Sequence, residues 1–450
     1  MAHTTTSSAK GRNILLTAVV NLCRFVLGAT FVFSGFVKAI DPTGTQYKIQ
    51  DYLAAANIAT ALPDWLTLVA AVLLAAVEFC LGVFVFLAMH RRAASRLAVA
   101  FMAVMTLVTM WIAAFDPVED CGCFGDAIRL TNVQTLLKNI ALLGCAVVVA
   151  WKPLLNYRFL SQSTQWIAVN YTVLFIFLLS AHCLYHLPIL DFRPYHVGAN
   201  IKKGMEIPEG AEQPEFETTF IMEKDGERKE FTLDNYPDST WQFIDSKTVQ
   251  TKKGYVPPIH DFSISKAEGE DITDSVLDRR GYTFLLVAPS LAKADDSNFG
   301  DIDRLYEYSL EQGIPFYCLT ASTEKDIQHW ENITGAEYPF FMTDETTLKT
   351  IIRSNPGLVL MKDGTIIRKW SHNDLPSARS LDAPMEKLEI GKMPTDGMGK
   401  TLAQVCLWFF VPLMSLVLAD RTWAWTKFVM AKTRRRRQER QEKAKTQQTE

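Results

Sequence analysis

Residues 12–42 read RNILLTAVVNLCRFVLGATFVFSGFVKAIDP. Arg24 is the only charge between positions 13 and 37, so the stretch exceeds the roughly 20 apolar residues that cross a bilayer core. It is also too long for a removable signal peptide and lacks a small-residue cleavage site. Comparable runs recur at residues 63–88, 95–115, 133–151, 165–186 and 401–419, which predicts six transmembrane helices in a chain of 450 residues. Residues 187–398 turn polar and charged, with turn signals at Lys224-Asp225-Gly226 and Lys362-Asp363-Gly364, as suits a water-soluble domain. The net charge of -3 says little about partners; the placement of the charges says more.

Short cytoplasmic loops retain Lys and Arg. Lys10 and Arg12 precede the first run, and Arg91, Arg92 and Arg96 separate the second from the third. Lys152 and Arg158 separate the fourth from the fifth, and four arginines at 434–437 follow the sixth. These segments alternate without a break. They predict cytoplasmic termini, with residues 38–62, the loop 116–132 and the domain 187–398 facing outward into a setting where thiols can pair. The tail TRRRRQERQEKAK then reads as a topology and anionic-lipid feature, with the lipid bilayer as its partner and no nucleic acid implied.

The outward loop carries EDCGCFGD at residues 119–126. Cys121 and Cys123 can bridge only across a bent backbone, and Gly122 between them supplies that freedom. So small a ring is strained, and strained, exposed disulfides are the labile ones, which favours exchange chemistry. Glu119, Asp120 and Asp126 should push the other way by disfavouring the thiolate. A structural disulfide pinning the turn between the third and fourth spans is the alternative. No CxxC or His pair at finger spacing completes a zinc site, so no metal is expected. Cys23, Cys80 and Cys145 fall mid-helix and read as small apolar residues, and Cys318 sits in a buried strand. Cys183 and Cys406 lie near the outer ends of the fifth and sixth spans, where they are candidate resolving thiols or ordinary packing residues. His182 and His186, one helical turn apart, read as an interfacial, hydrogen-bonded pair, with metal binding as the alternative.

Asn21 and Arg24 in the first span and Glu78 in the second are costly in lipid, and intramembrane charges are functional candidates by default. Counted from Lys38 and Pro63 at about 1.5 Å per residue, Arg24 and Glu78 both fall roughly 21 to 23 Å below the outer boundary. That depth predicts an Arg24–Glu78 pair, either as a lock between the two helices or as part of a proton or quinone-headgroup site below the CGC loop.

The pattern RFVLGATFVFSGFVKAIDP, Glu78, and DCGCFGD followed by TNVQTLLKNIALL resembles the DoxX/MauE group of four-helix membrane proteins over residues 12–152. The resemblance implies a redox-associated bundle in a bacterial inner membrane, in some members linked to disulfide formation in exported proteins or to quinone-linked electron transfer. It makes Cys121 and Cys123 the candidate redox pair and Arg24 and Glu78 the intrabundle polar residues, with a quinone as a possible cofactor.

Beyond the fifth span (165–186), residues 187–254 predict a β-rich connecting element, with ETTFIME and KEFTL alternating around Asp225-Gly226. Residues 255–395 predict an opening hairpin (DFSIS, then EGEDIT) and a strand at 282–287, followed by a helix at 298–311 and a strand at 315–322. A helix at 323–333, the strand YPFFMT, a helix near 345–353 and a hairpin around Lys362-Asp363-Gly364 complete the domain. This is a layered α/β domain with a parallel central pair. Its order is similar to the thioredoxin-like fold of the TlpA/peroxiredoxin type, in which Pro356 matches the cis-proline position. Where that fold places its thiols, this chain has Ala288-Pro289-Ser290-Leu291-Ala292-Lys293-Ala294. The sixth span (401–419) and a basic tail (420–450) close the chain. Two functions fit: a membrane thiol-disulfide oxidoreductase acting on an extracytoplasmic client or a thioredoxin-like partner, or a non-catalytic membrane-anchored binding or assembly factor using the thiol-free domain for docking. No nucleotide-binding glycine loop, haem attachment site or nucleophile elbow is present, and no inverted repeat suggests a transporter.

Overall fold

Pro42 has no amide hydrogen and its ring disfavours helix at the preceding residue, so the first helix must break at Asp41. In the computed structural model, α1 (His3–Ile40) ends there and α2 (Pro42–Ala55) begins, with the Asp41 side chain accepting from Gly44 N at 2.8 Å. Proline at the first helical position and aspartate as the cap suit a helix start. The structure describes residues 3–56, 58, 62–118, 120–212, 215–224, 227–232, 242–252, 254–395 and 397–449. Glu119 and the Asp225-Gly226 turn lie outside these. The chain divides into two compact units, residues 1–193 with 394–450, and residues 194–393.

The first unit is helical: α3 (Asp64–Phe86), α4 (Arg91–Phe115), α5 (Asn132–Trp151), α6 (Gln165–Tyr185) and α12 (Met398–Thr449) join α1 and α2. Among the described residues six helices are long and apolar enough to cross a membrane: all of these except α2. The sixth continues through the basic tail as one helix.

Three glycines set the spacing of α1 and α3. A Cβ on Gly35 would lie 2.7 Å from Phe79 Cα, one on Gly82 2.6 Å from Val32 N, and one on Gly28 3.0 Å from Phe86 Cα. Helix backbones can approach this closely only where side chains are absent, as at small-residue seams in membranes. The same register continues into α2, where Gln46 donates to Asp64 O (2.8 Å) and Gln50 to Asp64 Oδ1 (3.0 Å). The start of α3 is therefore level with Gln50, well past the end of α1. A Thr131–Gln134 capping box opens α5, and Asn139 on that helix donates to Thr109 of α4 at 3.2 Å. Phe409 of α12 packs against Phe79 of α3 and Phe175 of α6, with ring centroids 5.1 and 4.7 Å away.

The second unit holds two sheets. Strands β1 (Glu215–Lys224), β2 (Glu227–Thr232) and β3 (Gln242–Lys252) form an antiparallel sheet in the order β2-β1-β3. After the short α7 (Ile201–Met205) and α8 (Thr273–Leu277), β4 (Tyr282–Ala288), β5 (Phe316–Thr320), β6 (Phe340–Met342), β7 (Gly357–Lys362) and β8 (Thr365–Ser371) form a mixed sheet ordered β6-β5-β4-β7-β8. Helices α9 (Phe299–Glu311), α10 (Glu324–Thr334) and α11 (Glu345–Ile351) connect the strands. Every residue of β4 is buried, as in a central strand covered on both faces. Asp363 and Gly364 both take positive φ, the two-residue turn that matches strand twist. The expected hairpin at 261–273 is short: Lys266 N donates to Glu270 O and Ile272 N to Ile264 O (both 2.8 Å) around a Ser265–Asp271 bridge, and on its other side Ser265 exchanges both backbone bonds with Met342 at the sheet edge. The Asn355–Pro356 bond is cis, and Cys318 is fully buried in β5.

Candidate functional site

The α4–α5 loop turns through two glycines with φ of +61° at Gly122 and +52° at Gly125, closed by a Gly125 N to Gly122 O bond of 3.0 Å. Left-handed backbone favours glycine here, and space does too, since a Cβ on Gly122 would meet Lys48 Cγ at 3.0 Å. The bend brings Cys121 Sγ to 2.8 Å from Cys123 Sγ. Cys121 is buried and Cys123 half-buried.

The loop is held by its peptide carbonyls. Cys123 O accepts from Ser34 Oγ (2.6 Å) and Lys38 Nζ (2.6 Å), and Cys121 O accepts from Tyr52 OH. Lys38 Nζ also bonds Ser34 Oγ (2.7 Å) and Glu78 Oε2 (2.7 Å), so its three donors are all used. From outside, Lys48 pairs with Asp120 at 3.1 Å, and Asp120 Oδ1 accepts from Gly122 N at 3.0 Å. Phe124 lies under Lys138 Nζ (4.1 Å) and edge-on to Phe33 (5.4 Å).

This geometry overturns the expected Arg24–Glu78 pair. Glu78 is taken by Lys38, whereas Arg24 Nη1 donates to Tyr157 O (2.6 Å) and its guanidinium sits over Phe25 (4.3 Å). The physical reason is the stagger of α3: its first turn lies beside α2, so counting depth from Pro63 and from Lys38 used two different levels. Arg24 and Asn21, which bonds Leu155 O and Tyr157 N, instead stitch α1 to the loop after α5. Lys38, Ser34, Tyr52, Lys48 and Lys138 were not singled out as site residues by sequence reasoning. The Ser34–Lys38 spacing of one helical turn was the available signal.

The acids beside the cysteines do not dominate the thiols either. Asp120 is neutralised by Lys48 and Asp126 by Arg129 at 3.3 Å. The Cys121 thiol is held down to about 7, first by its hydrogen bond from Cys123, against a burial penalty, and further by Tyr52 and by the Lys138 and Lys38 ammonium groups. Cys123, as donor in that bond and partly withdrawn from water, is pushed well up. Burial likewise pushes the Tyr52 hydroxyl up and keeps it a donor.

Beneath the loop, a cavity of about 20 Å³ is bordered by Cys123, Ser34, Glu78, Lys138 and Asn139. That is room for one water, so a quinone headgroup does not fit there. An apolar chamber of about 510 Å³ lies between α1, α3, α6 and α12, walled by phenylalanines and by Cys406. Phe33 and Val37 line it, and neither cysteine of the pair does. Cys183 is buried in the apolar core shared with Phe79 and Phe409. Neither Cys183 nor Cys406 borders the cavities that Cys123 lines.

Residues 16–152 match the family model for methylamine utilisation protein MauE. The MauE-like segment thus covers α2, α3, α4, α5 and most of the membrane-crossing part of α1, with the CGC loop inside it. Residues 216–253, the span of the three-stranded sheet, match a domain of unknown function (DUF8463). No curated protein and no solved structure matches the chain. The protein is a multi-pass membrane protein with a MauE-like domain and a mixed α/β unit.

Proposed function

We propose that the chain is a membrane thiol-disulfide oxidoreductase whose reacting groups are Cys121 and Cys123. The observation that carries this reading is the 2.8 Å approach of two sulfurs in a loop clamped through both cysteine carbonyls. A clamp on the peptide oxygens leaves the sulfurs free to open and close while the loop stays bent. Cys121, the more acidic thiol, is the attacking group, because the thiolate is the nucleophile. Cys123 resolves the mixed disulfide. Cys183 and Cys406, set among apolar side chains, are given packing roles. No step is routed through a quinone.

The loop alternation of Lys and Arg supports cytoplasmic termini and an outward CGC loop, so the clients would be cell-envelope proteins. The matched family's description, methylamine utilisation, is the context carried over for the membrane domain. The sheet order β6-β5-β4-β7-β8, with its parallel β4–β5 pair, supports a thioredoxin-like reading of residues 255–395. The loop after β4 has no thiol and is stitched to the cis-proline segment by Asp295 N to Asn355 O (2.9 Å) and Asn355 Nδ2 to Ser290 O (2.8 Å). That closure favours a docking role for this unit over chemistry.

Trapping tests the reading. In the full-length protein, Cys123→Ala should accumulate a mixed disulfide with a cell-envelope protein through Cys121, and Cys121→Ala should abolish it. If neither variant captures any partner and neither loses function, the binding or assembly reading takes its place, with CGC as a staple.

A further inference from the structure

Closing the pair to a disulfide requires Cys123 to lose its proton. The Cys123 thiol is held well above its ordinary ionisation, so it needs a base. Cys123 and Glu78 both line the water-sized cavity of about 20 Å³. Glu78 is buried, and Lys38 Nζ holds its Oε2 at 2.7 Å, which fixes the side chain in place at the cavity. A general base acts within hydrogen-bond reach or through one water.

We propose that Glu78 is the base that takes the Cys123 proton, through one water in this cavity, when the CGC pair closes. This rests on the exchange reading of the pair. Among the described residues, the charged and titratable groups around Glu78 are Lys38 on α1, bonded to it at 2.7 Å, Cys123 on the loop and Lys138 on α5, which line the same cavity, and Cys121, 2.8 Å from Cys123. From α4 the cavity wall is Phe101, Met102 and Met105, with no titratable group. Lys38 and Lys138 are cations and steady the thiolates without accepting protons. Asp120 is the rival base. It is occupied by Lys48 and Gly122 N, and the space it shares with Cys123 is about 10 Å³, at the lower limit for a water.

The step balances with a disulfide as oxidant. The Cys121 thiolate attacks one sulfur of the oxidant and expels the other as a thiolate, forming a mixed disulfide. Cys123 passes its proton by way of the water to Glu78. The Cys123 thiolate then attacks Cys121 Sγ, expelling the second thiolate of the oxidant, which has gained two electrons. The proton on Glu78 leaves to the solvent.

Full-length protein in lipid nanodiscs, mixed with oxidised glutathione, reads this directly by intact mass. Wild type should pass quickly through the glutathione adduct. Glu78→Gln should accumulate the adduct on Cys121, with resolution slower by at least about tenfold. Its resolving rate should rise about tenfold per pH unit as hydroxide replaces the missing base, a steeper dependence than that of wild type. Glu78→Asp should recover part of the rate. Because Glu78→Gln strands Lys38, the combination of Lys38→Met with Glu78→Gln is measured alongside and should stall in the same way. Folded Gln variants that resolve at the wild-type rate with an unchanged pH profile overturn the proposal, as does a stall in Asp120→Asn instead. If wild type itself forms no adduct and no disulfide, the exchange reading fails, and the role of Glu78 with it.

Discussion

Lys38 ties the second span to the CGC loop through a single ammonium group, which bonds Glu78, Ser34 and the Cys123 carbonyl at 2.6 to 2.7 Å. Buried at 5% side-chain exposure against 8% for Glu78, the pair is costly to break from one side. Lys38→Met alone or Glu78→Gln alone should each lower unfolding stability by about 3 to 5 kcal/mol, with much of it regained in the double variant. Denaturant unfolding of the purified protein checks this, and equal, additive losses would argue against a coupled pair. At the thiols, alkylation of Cys121 should rise with pH through a midpoint of about 7, because only the thiolate reacts. Cys123→Ala removes the first cause of that depression, so the midpoint should climb toward about 8.5. A midpoint unmoved by the substitution would mean that Lys38 and Lys138 set the acidity. The cysteines and Glu78 were legible in the sequence because polar or reactive types stand out in apolar surroundings. Lys38 was not, because it sits where a span is expected to end.

Helix packing explains that miss. Gly28, Gly35 and Gly82 bring α1 against α3 in a register that continues through Gln46 and Gln50 of α2, so α3 begins far above the end of α1. Hydropathy marks where apolar runs begin but carries no information about axial stagger between neighbours. Gly35→Ala should destabilise the protein by about 1 to 3 kcal/mol, since its Cβ would meet Phe79 Cα at 2.7 Å. Gly144→Ala, where no atom lies within 4 Å, serves as the control and should be near neutral. Thermal melting in detergent compares them, and equal melting temperatures would refute the close seam. In the α/β unit nearly every strand and helix between 282 and 371 was legible, since β4, β5 and β7 are short apolar runs bounded by turn residues. The hairpin at 261–273 was legible as well, but its attachment to the sheet edge at Met342 was not, because that partner lies far along the chain.

Across the whole molecule, the Lys/Arg pattern that alternates between the six apolar helices found among the described residues predicts a cytoplasmic tail. A cysteine introduced as Arg436→Cys should be labelled by an impermeant maleimide only after the cytoplasmic face is opened. Labelling from outside would invert the arrangement and place the CGC loop in a reducing compartment. The central claim is that Cys121 and Cys123 form a working dithiol rather than a staple, and a redox titration of the full-length protein tests it most directly. With thiols alkylated and counted by mass across glutathione and dithiothreitol buffers, the two cysteines should convert together between dithiol and disulfide at a potential above about −300 mV. A pair that stays oxidised below that potential, or stays reduced throughout, contradicts the account.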